Sequence, residues 1–177
     1  MGIIDRLKDR SYQKSLPAKP ARSKGKPVPN LEEAKTIAIL FDATDIDHRK
    51  RTLAYADKLR KRNKQVNALG FISTADKEAT FSFNFFTLRD IDWAKRPKGE
   101  QVKQWLDKEY DVLICLFPTT NLFTEFLALH SRAGLKIGPV ASNTECYDLM
   151  LDMPKASPEK IIKQYESVLA KTMPQAV

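Results

Sequence analysis

Residues 36–73 read TIAILFDATDIDHRKRTLAYADKLRKRNKQVNALGFIS, and their pattern decides the fold. "TIAILF" (36–41) is an unbroken apolar run, as expected of a strand covered on both faces. It ends in the carboxylates Asp42, Asp45 and Asp47, which give way to a helix over 48–63 with Leu53, Ala56 and Leu59 on one side and cations on the other. "QVNALGFIS" (65–73) then reads as a second strand. Strand, helix and strand in that order make a right-handed crossover and hence a parallel pair.

The alternation continues on the C-terminal side. "ATFSFNFFTL" (79–88) is a phenylalanine-rich third strand. "PKGEQVKQWLDKE" (97–109) is helical, with Pro97 suited to a first turn. "YDVLICLF" (110–117) is a fourth strand, and "TNLFTEFLALHSRAG" (120–134) a helix stopped by Gly134. "LKIGPVA" (135–141) is a fifth strand, and 157–173 a terminal helix opened by Ser157 and Pro158. The second and third strands lack an intervening helix, which leaves one of them free to pair antiparallel at an edge. The class is α/β: a three-layer Rossmann-like domain over 34–177 with a mainly parallel sheet of about five strands.

Residues 1–33 read differently. Ile3, Ile4 and Leu7 form an apolar stripe on a short amphipathic helix, which is marginal in water unless it lies against something. That something could be a protein partner. The following 14–30 carries four prolines and five cations, and alone should be an extended, mobile linker.

Hydrophobic content of 42% suffices for a real core in a chain of 177 residues. The longest apolar runs fall far short of a membrane span, and the N-terminus is no secretory signal. Two cysteines are too few for a disulfide framework; Cys115 reads as a small buried hydrophobe, and a reducing cytoplasm is expected. The net charge of +8 is unevenly placed. Residues 1–30 hold eight cations and two anions, and 48–64 hold eight cations and one anion. The rest of the chain is therefore mildly acidic.

This asymmetry gives the first candidate site. Arg49, Lys50, Arg51, Lys58, Arg60, Lys61, Arg62 and Lys64 on one helix, with Lys19, Arg22, Lys24 and Lys26 in the leader, make an electrostatic footprint for a polyanion such as structured RNA, ribosomal RNA above all. Trp93, among Arg89, Lys95, Arg96 and Lys98, could stack on a base. The second candidate is a crevice beyond the carboxyl ends of the strands, where chain order reverses. Asp42, Thr44 and Asp45 would line it from the 42–47 loop, and Thr119, Thr120 and Asn121 from "PTTN" (118–121), with Asn143 and Thr144 able to hydrogen-bond a small ligand. Helix capping is the plainer role, by Asp45 or Asp47 for the first helix and by Asn121 or Thr120 for the later one. The third candidate is peripheral membrane attachment by residues 3–13 plus the basic linker, which Asp5 and Asp9 oppose.

Several chemistries drop out. Six glycines, at 2, 25, 70, 99, 134 and 138, supply neither a dinucleotide fingerprint nor a phosphate-cradling loop. His48 and His130 have no metal or triad spacing. "ILFDATD" resembles the nucleophile strand of haloacid-dehalogenase phosphatases, but Thr44 stands where that family needs its second acid. No catalytic residue, metal or cofactor is expected.

"YDVLICLFPTTNLFTEFLALHSRAGLKIG" (110–138) resembles the strand–helix–strand in the N-terminal half of heptosyltransferase-like glycosyltransferases, which implies a Rossmann-like fold and a degenerate transferase-like or small-molecule site. With "FDATD", "DIDWAKRPKG" and "CYDLMLDM", the chain as a whole is similar to a small uncharacterised bacterial family, a domain of unknown function. The expectation is thus a non-enzymatic cytoplasmic binding protein.

Overall fold

The structure, a computed structural model, describes residues 2–24, 30–73 and 81–171. Six strands form one parallel sheet: β1 (Thr36–Asp42), β2 (Gln65–Ile72), β3 (Asn84–Thr87), β4 (Glu109–Leu116), β5 (Arg132–Pro139) and β6 (Leu149–Leu151), in the order β3-β2-β1-β4-β5-β6. Chain order reverses between β1 and β4, the doubly wound arrangement of a Rossmann-like domain.

The helices divide into two layers because successive side chains of β1 point to opposite faces. Ile37, Ile39 and Phe41 meet α2 (Ile46–Lys61) and α5 (Pro158–Leu169) through Tyr55, Leu59, Ile161 and Tyr165. Ala38 and Leu40 lie in the other core, with Trp105 of α3 (Glu100–Leu106) and Phe126 and Leu127 of α4 (Leu122–His130). Asp111 at the start of β4 accepts hydrogen bonds from the backbone N–H groups of Lys35 and Thr36, at 2.7 and 2.9 Å, and fixes where β1 enters the sheet.

The structure departs from the sequence reading at several places. β3 pairs parallel, not antiparallel, with β2, and only over Asn84–Thr87. Phe81 and Phe83 instead pack in the α2 layer, Phe83 against Phe41 and Phe81 against Phe83, while 74–80, with the first two residues of the expected strand, fall outside the described residues. A sixth strand, Leu149–Leu151, adds to β5. The helix over 120–134 ends at His130; Gly134 lies inside β5 without a left-handed φ, because pairing of Glu109 with Arg132 and Tyr110 with Ala133 continues the strand through it. The helix over 97–109 begins only at Glu100, after Gly99 at a φ of 110°, and Pro97 pairs with Ile91 in an isolated bridge.

The leader also differs. The thirteen-residue α1 (Ile3–Ser15) is anchored by Tyr12, which is buried against Phe126 and donates its hydroxyl to Leu122 O at 2.6 Å. Residues 16–24 form no helix or strand, with bends around Pro17 and Pro20, yet lie along the body. Ala21 N–H bonds Leu129 O, and Arg22 holds Asp148 with two 2.6 Å bonds. The rest of the expected linker, 25–29 with Lys26, falls outside the described residues.

A Cβ on Gly138 would come within 2.5 Å of the ring of Tyr147, whose residue is only 3% exposed. Gly138→Ala should therefore lower unfolding stability by about 1–3 kcal/mol in urea denaturation, as overpacking does in cores that cannot yield; an unchanged midpoint would show that the ring moves freely.

Candidate functional site

The aspartates after β1 are used locally. Asp42 Oδ1 accepts Thr44 N–H at 2.9 Å, and Thr44 Oγ1 accepts Ser73 N–H at 3.0 Å, tying the loop to the end of β2. Asp45 is the N-cap of α2 and accepts His48 N–H at 2.8 Å, the bond that chiefly holds its carboxyl below the ordinary range. Their hydrogen bonds are those of a turn and a cap.

The second half of the expected crevice assembles elsewhere. Asn121 caps α4 by accepting Thr124 N–H at 3.0 Å, while Thr119 is exposed. Thr120 Oγ1 reaches Glu125 Oε1 at 3.3 Å, and the same carboxylate oxygen accepts Ser142 N–H at 3.1 Å, which joins the loop after β4 to the loop after β5. Beside them is a cavity of about 430 Å³ lined by Glu125, Ser142, Asn143 and Thr144, with Tyr12 and Gln13 of α1 and the following Leu16 across it. Asn143 and Thr144 thus join "PTTN" through Glu125, whereas the hydrogen bonds of Asp42, Thr44 and Asp45 run to their own loop and to Ser73. Sequence reasoning missed Glu125; its signal was a lone acid in the otherwise apolar "LFTEFLALH".

The basic helix is more compensated than its sequence implies. Arg51 pairs with Glu159 and Lys58 with Glu166 (3.1 Å), both on α5, and Arg60 with Asp57 at 2.8 Å. Arg49 donates to Ala43 O and lies over Phe81, its guanidinium carbon 5.0 Å from the ring centre. Lys64 donates to Glu32 O. Among the described residues Lys50, Lys61 and Arg62 have no ion-pair partner.

The cations also split by position. Arg49, Lys50 and Arg51 occupy the first turns of α2, and Arg60 to Lys64 its far end, roughly 15–20 Å away at the helical rise. The far end meets the N-terminal ends of the strands. Lys35, Lys64 and Lys108 immediately precede β1, β2 and β4, and Arg132 opens β5. These four strands are neighbours, so the row is about 15 Å long. Lys24 joins it, since Ser23 Oγ bonds Glu109 at 3.3 Å, while Arg22 is neutralised by Asp148 and Lys19 is exposed on the leader. Glu32, Glu33, Asp107 and Glu109 stand along the same edge. Trp93 does not: it follows β3, at the opposite end of the sheet.

There, α1 presents the reverse of the usual amphipathic arrangement. Its body-facing anchor is Tyr12, and its aliphatic stripe is turned to solvent, with Ile3 80%, Ile4 68% and Leu7 55% exposed. Ile4, Leu7, Arg10, Ser11 and Lys14 form with Trp93, itself 60% exposed, a shallow groove of about 550 Å³. Asp5 takes Gly2 N–H, and Asp9 lies 3.8 Å from Lys95 of the body.

A family model described as a family of unknown function (DUF6913) matches residues 8–171, and the chain belongs to that family. No curated protein matches it. The stretch 110–138 with the glycosyltransferase-like pattern is β4–α4–β5, which is mostly core packing.

Reactive groups are muted. Burial pushes the thiols of Cys115 and Cys146 up to about 12, so neither is a ready nucleophile. Among the described residues no three His, Cys, Asp or Glu side chains are grouped to hold a metal ion. His130 has Nδ1 2.8 Å from Phe126 O and Nε2 3.1 Å from Ser15 O, which joins α4 to the end of α1.

Lys136 of β5 is wholly buried, with Nζ 2.5 Å from Ala128 O near the carboxyl end of α4. Burial, reinforced by Arg22, brings its ammonium down from 10.5 to about 7, against a smaller opposite pull from Asp148. Above about pH 7 the unfolded chain therefore holds a proton that the folded chain has released, and this residue makes stability rise with pH. Below that both states carry it, and the burial penalty is complete. Lys136→Met should thus be most stabilising below about pH 7, and less so by about pH 8.5, in parallel urea titrations with the parent; a difference constant across that window would contradict the assignment.

Proposed function

We propose that this family member is a non-enzymatic binding protein that docks peripherally on an anionic lipid surface through α1. The observation that carries this reading is the orientation of the helix. At roughly 100° per residue, Arg6 and Arg10 fall along one flank of the Ile3–Ile4–Leu7 stripe and Lys8 along the other, with Lys14 on the stripe itself, while Asp5 and Asp9 fall on the far side. The objection that the two acids would repel an anionic surface is answered by where they point. An apolar face bordered by cations, with a tryptophan at its edge, matches the boundary between acyl chains and negative headgroups. The stripe is narrow beside the roughly 800 Å² per partner of a stable protein interface. Among the described residues no helix is long and apolar enough to cross a membrane.

The test is flotation with vesicles of phosphatidylcholine alone and of phosphatidylcholine with phosphatidylglycerol at roughly three to one. The full chain should float with the anionic vesicles and be released by salt. Leu7→Glu, at an exposed position, should weaken binding roughly tenfold or more. Trp93 emission should shift to the blue on binding, with buried Trp105 as the unchanged reference. Failure to float with the anionic vesicles, or flotation indifferent to Leu7→Glu, would overturn the reading. So would a dimer that Leu7→Glu dissociates, which would assign the stripe to a second copy.

A second reading, polyanion binding with structured RNA as the leading partner in a ribosome-associated, cytoplasmic setting, is favoured by the row of cations at the opposite end of the sheet. Its support is narrower than the sequence suggests: Lys61 and Arg62, flanked by Lys24, Lys35, Lys64 and Lys108, with no exposed tryptophan or phenylalanine beside them among the described residues for base stacking. Contacts there would be to phosphates and would ignore sequence. A labelled RNA hairpin should bind with a steep salt dependence. Binding should fall roughly tenfold in a Lys61→Glu, Arg62→Glu double variant, yet barely change in Arg51→Gln, Lys58→Gln, whose cations already have acidic partners. Equal losses in the two variants would restore the whole helix as the footprint; no loss in either would discard it.

A further inference from the structure

We infer that the cavity between α1, α4 and the loop after β5 binds a small molecule bearing an ammonium or guanidinium group, with Glu125 as its counter-ion. Glu125 is only 7% exposed, and its Oε1 accepts Ser142 N–H and lies 3.3 Å from Thr120 Oγ1, whose single proton Val140 O can also take. Oε2 has no partner among the described residues, and no lysine, arginine or histidine there forms an ion pair with this side chain. This nearly covered carboxylate lines a cavity of about 430 Å³, within the range of small-molecule sites, and its second oxygen is left to water or to a donor that enters there.

The remaining lining suits an amphipathic cation. Asn143 commits its Oδ1 to Glu145 N–H at 2.9 Å and keeps its amide N–H groups for a ligand oxygen, and Thr144 is exposed at the rim. Leu16 and Leu122 supply an apolar wall for a short carbon chain. No bond is made or broken in this inference, and it is independent of the lipid and RNA readings.

The test begins with the unliganded protein. In Glu125→Gln the amide oxygen can still accept from Thr120 and Ser142, so the fold is preserved while the charge is removed. If the charge exists for a ligand, the variant should be more stable, with Tm higher by roughly 2–4 °C. A lower Tm would make Glu125 a structural residue and overturn the inference. Putrescine and methylguanidine should then raise the Tm of the full chain saturably, while 1,4-butanediol, the uncharged counterpart of putrescine, should not. In Glu125→Gln the half-saturating concentration should rise roughly tenfold or more. Butanediol acting as well as putrescine, neither cation acting on the parent, or an unaltered response in Glu125→Gln would each overturn the inference.

Discussion

β1 is the constraint from which the rest follows. Its five central residues, Ile37 to Phe41, have no solvent exposure, and it is bonded on both edges, to β2 and to β4. A parallel strand in that position must have a helical layer on each side, and both layers must be apolar inward. Apart from the buried Lys136 of β5, polar chemistry is thereby kept from the middle of the sheet and sent to its two ends. At the entering end the strands are preceded by lysines and at the leaving end by loops of Asp, Thr, Asn and Ser, so the domain has two polar ends of different character. Whatever it binds, it binds at an end or on an outer helix face.

The leader shows how little can hold an element in an unusual orientation. A helix of thirteen residues is marginal alone. Burying one tyrosine contributes about 1.5–3 kcal/mol by area, and Tyr12 adds the hydroxyl bond to Leu122 O at the amino end of α4. His130 adds a contact to Ser15 O at the other end of α4. Together these fix α1 along α4 and leave Ile3, Ile4 and Leu7 outward. Nothing in the body compensates for their exposure, unlike the scattered surface leucines that any protein tolerates. A stripe, a neighbouring tryptophan and flanking cations on one helix face amount to a surface shaped for a partner.

The elements that could be read from the sequence were those whose signal is local. The apolar runs of β1 and β4, the cap at Asp45 and the periodicity of α2 gave the parallel α/β architecture directly. β6 could not be read, because three half-buried residues gain their strand character only from the edge of β5. Gly134 misled because a glycine after a helix usually stops it, and tertiary pairing overrode that tendency. The same divide runs through the sites. The clustering of cations on α2 was visible, but Glu159 and Glu166, which neutralise Arg51 and Lys58, lie over a hundred residues away. The apolar stripe of α1 was visible too; that it faces outward depends on Tyr12 finding Phe126, a contact no periodicity reveals.

One helix bears on two of the surfaces described. Tyr12, Gln13 and Leu16 close the Glu125 cavity from one side, while Ile4 and Leu7, two to three turns earlier on the opposite face, form the exposed groove. So long as α1 stays docked the two act independently, because a rigid helix transmits nothing without a second position to occupy. Coupling arises only through undocking, and there its sign is fixed. A cation held by Glu125 against Gln13 would favour the docked helix, whereas a surface that prefers a free α1 would empty the cavity. Linkage makes each effect equal to the other in free energy. The short anchor at Tyr12 is thus where occupancy of the cavity and engagement of the stripe would meet.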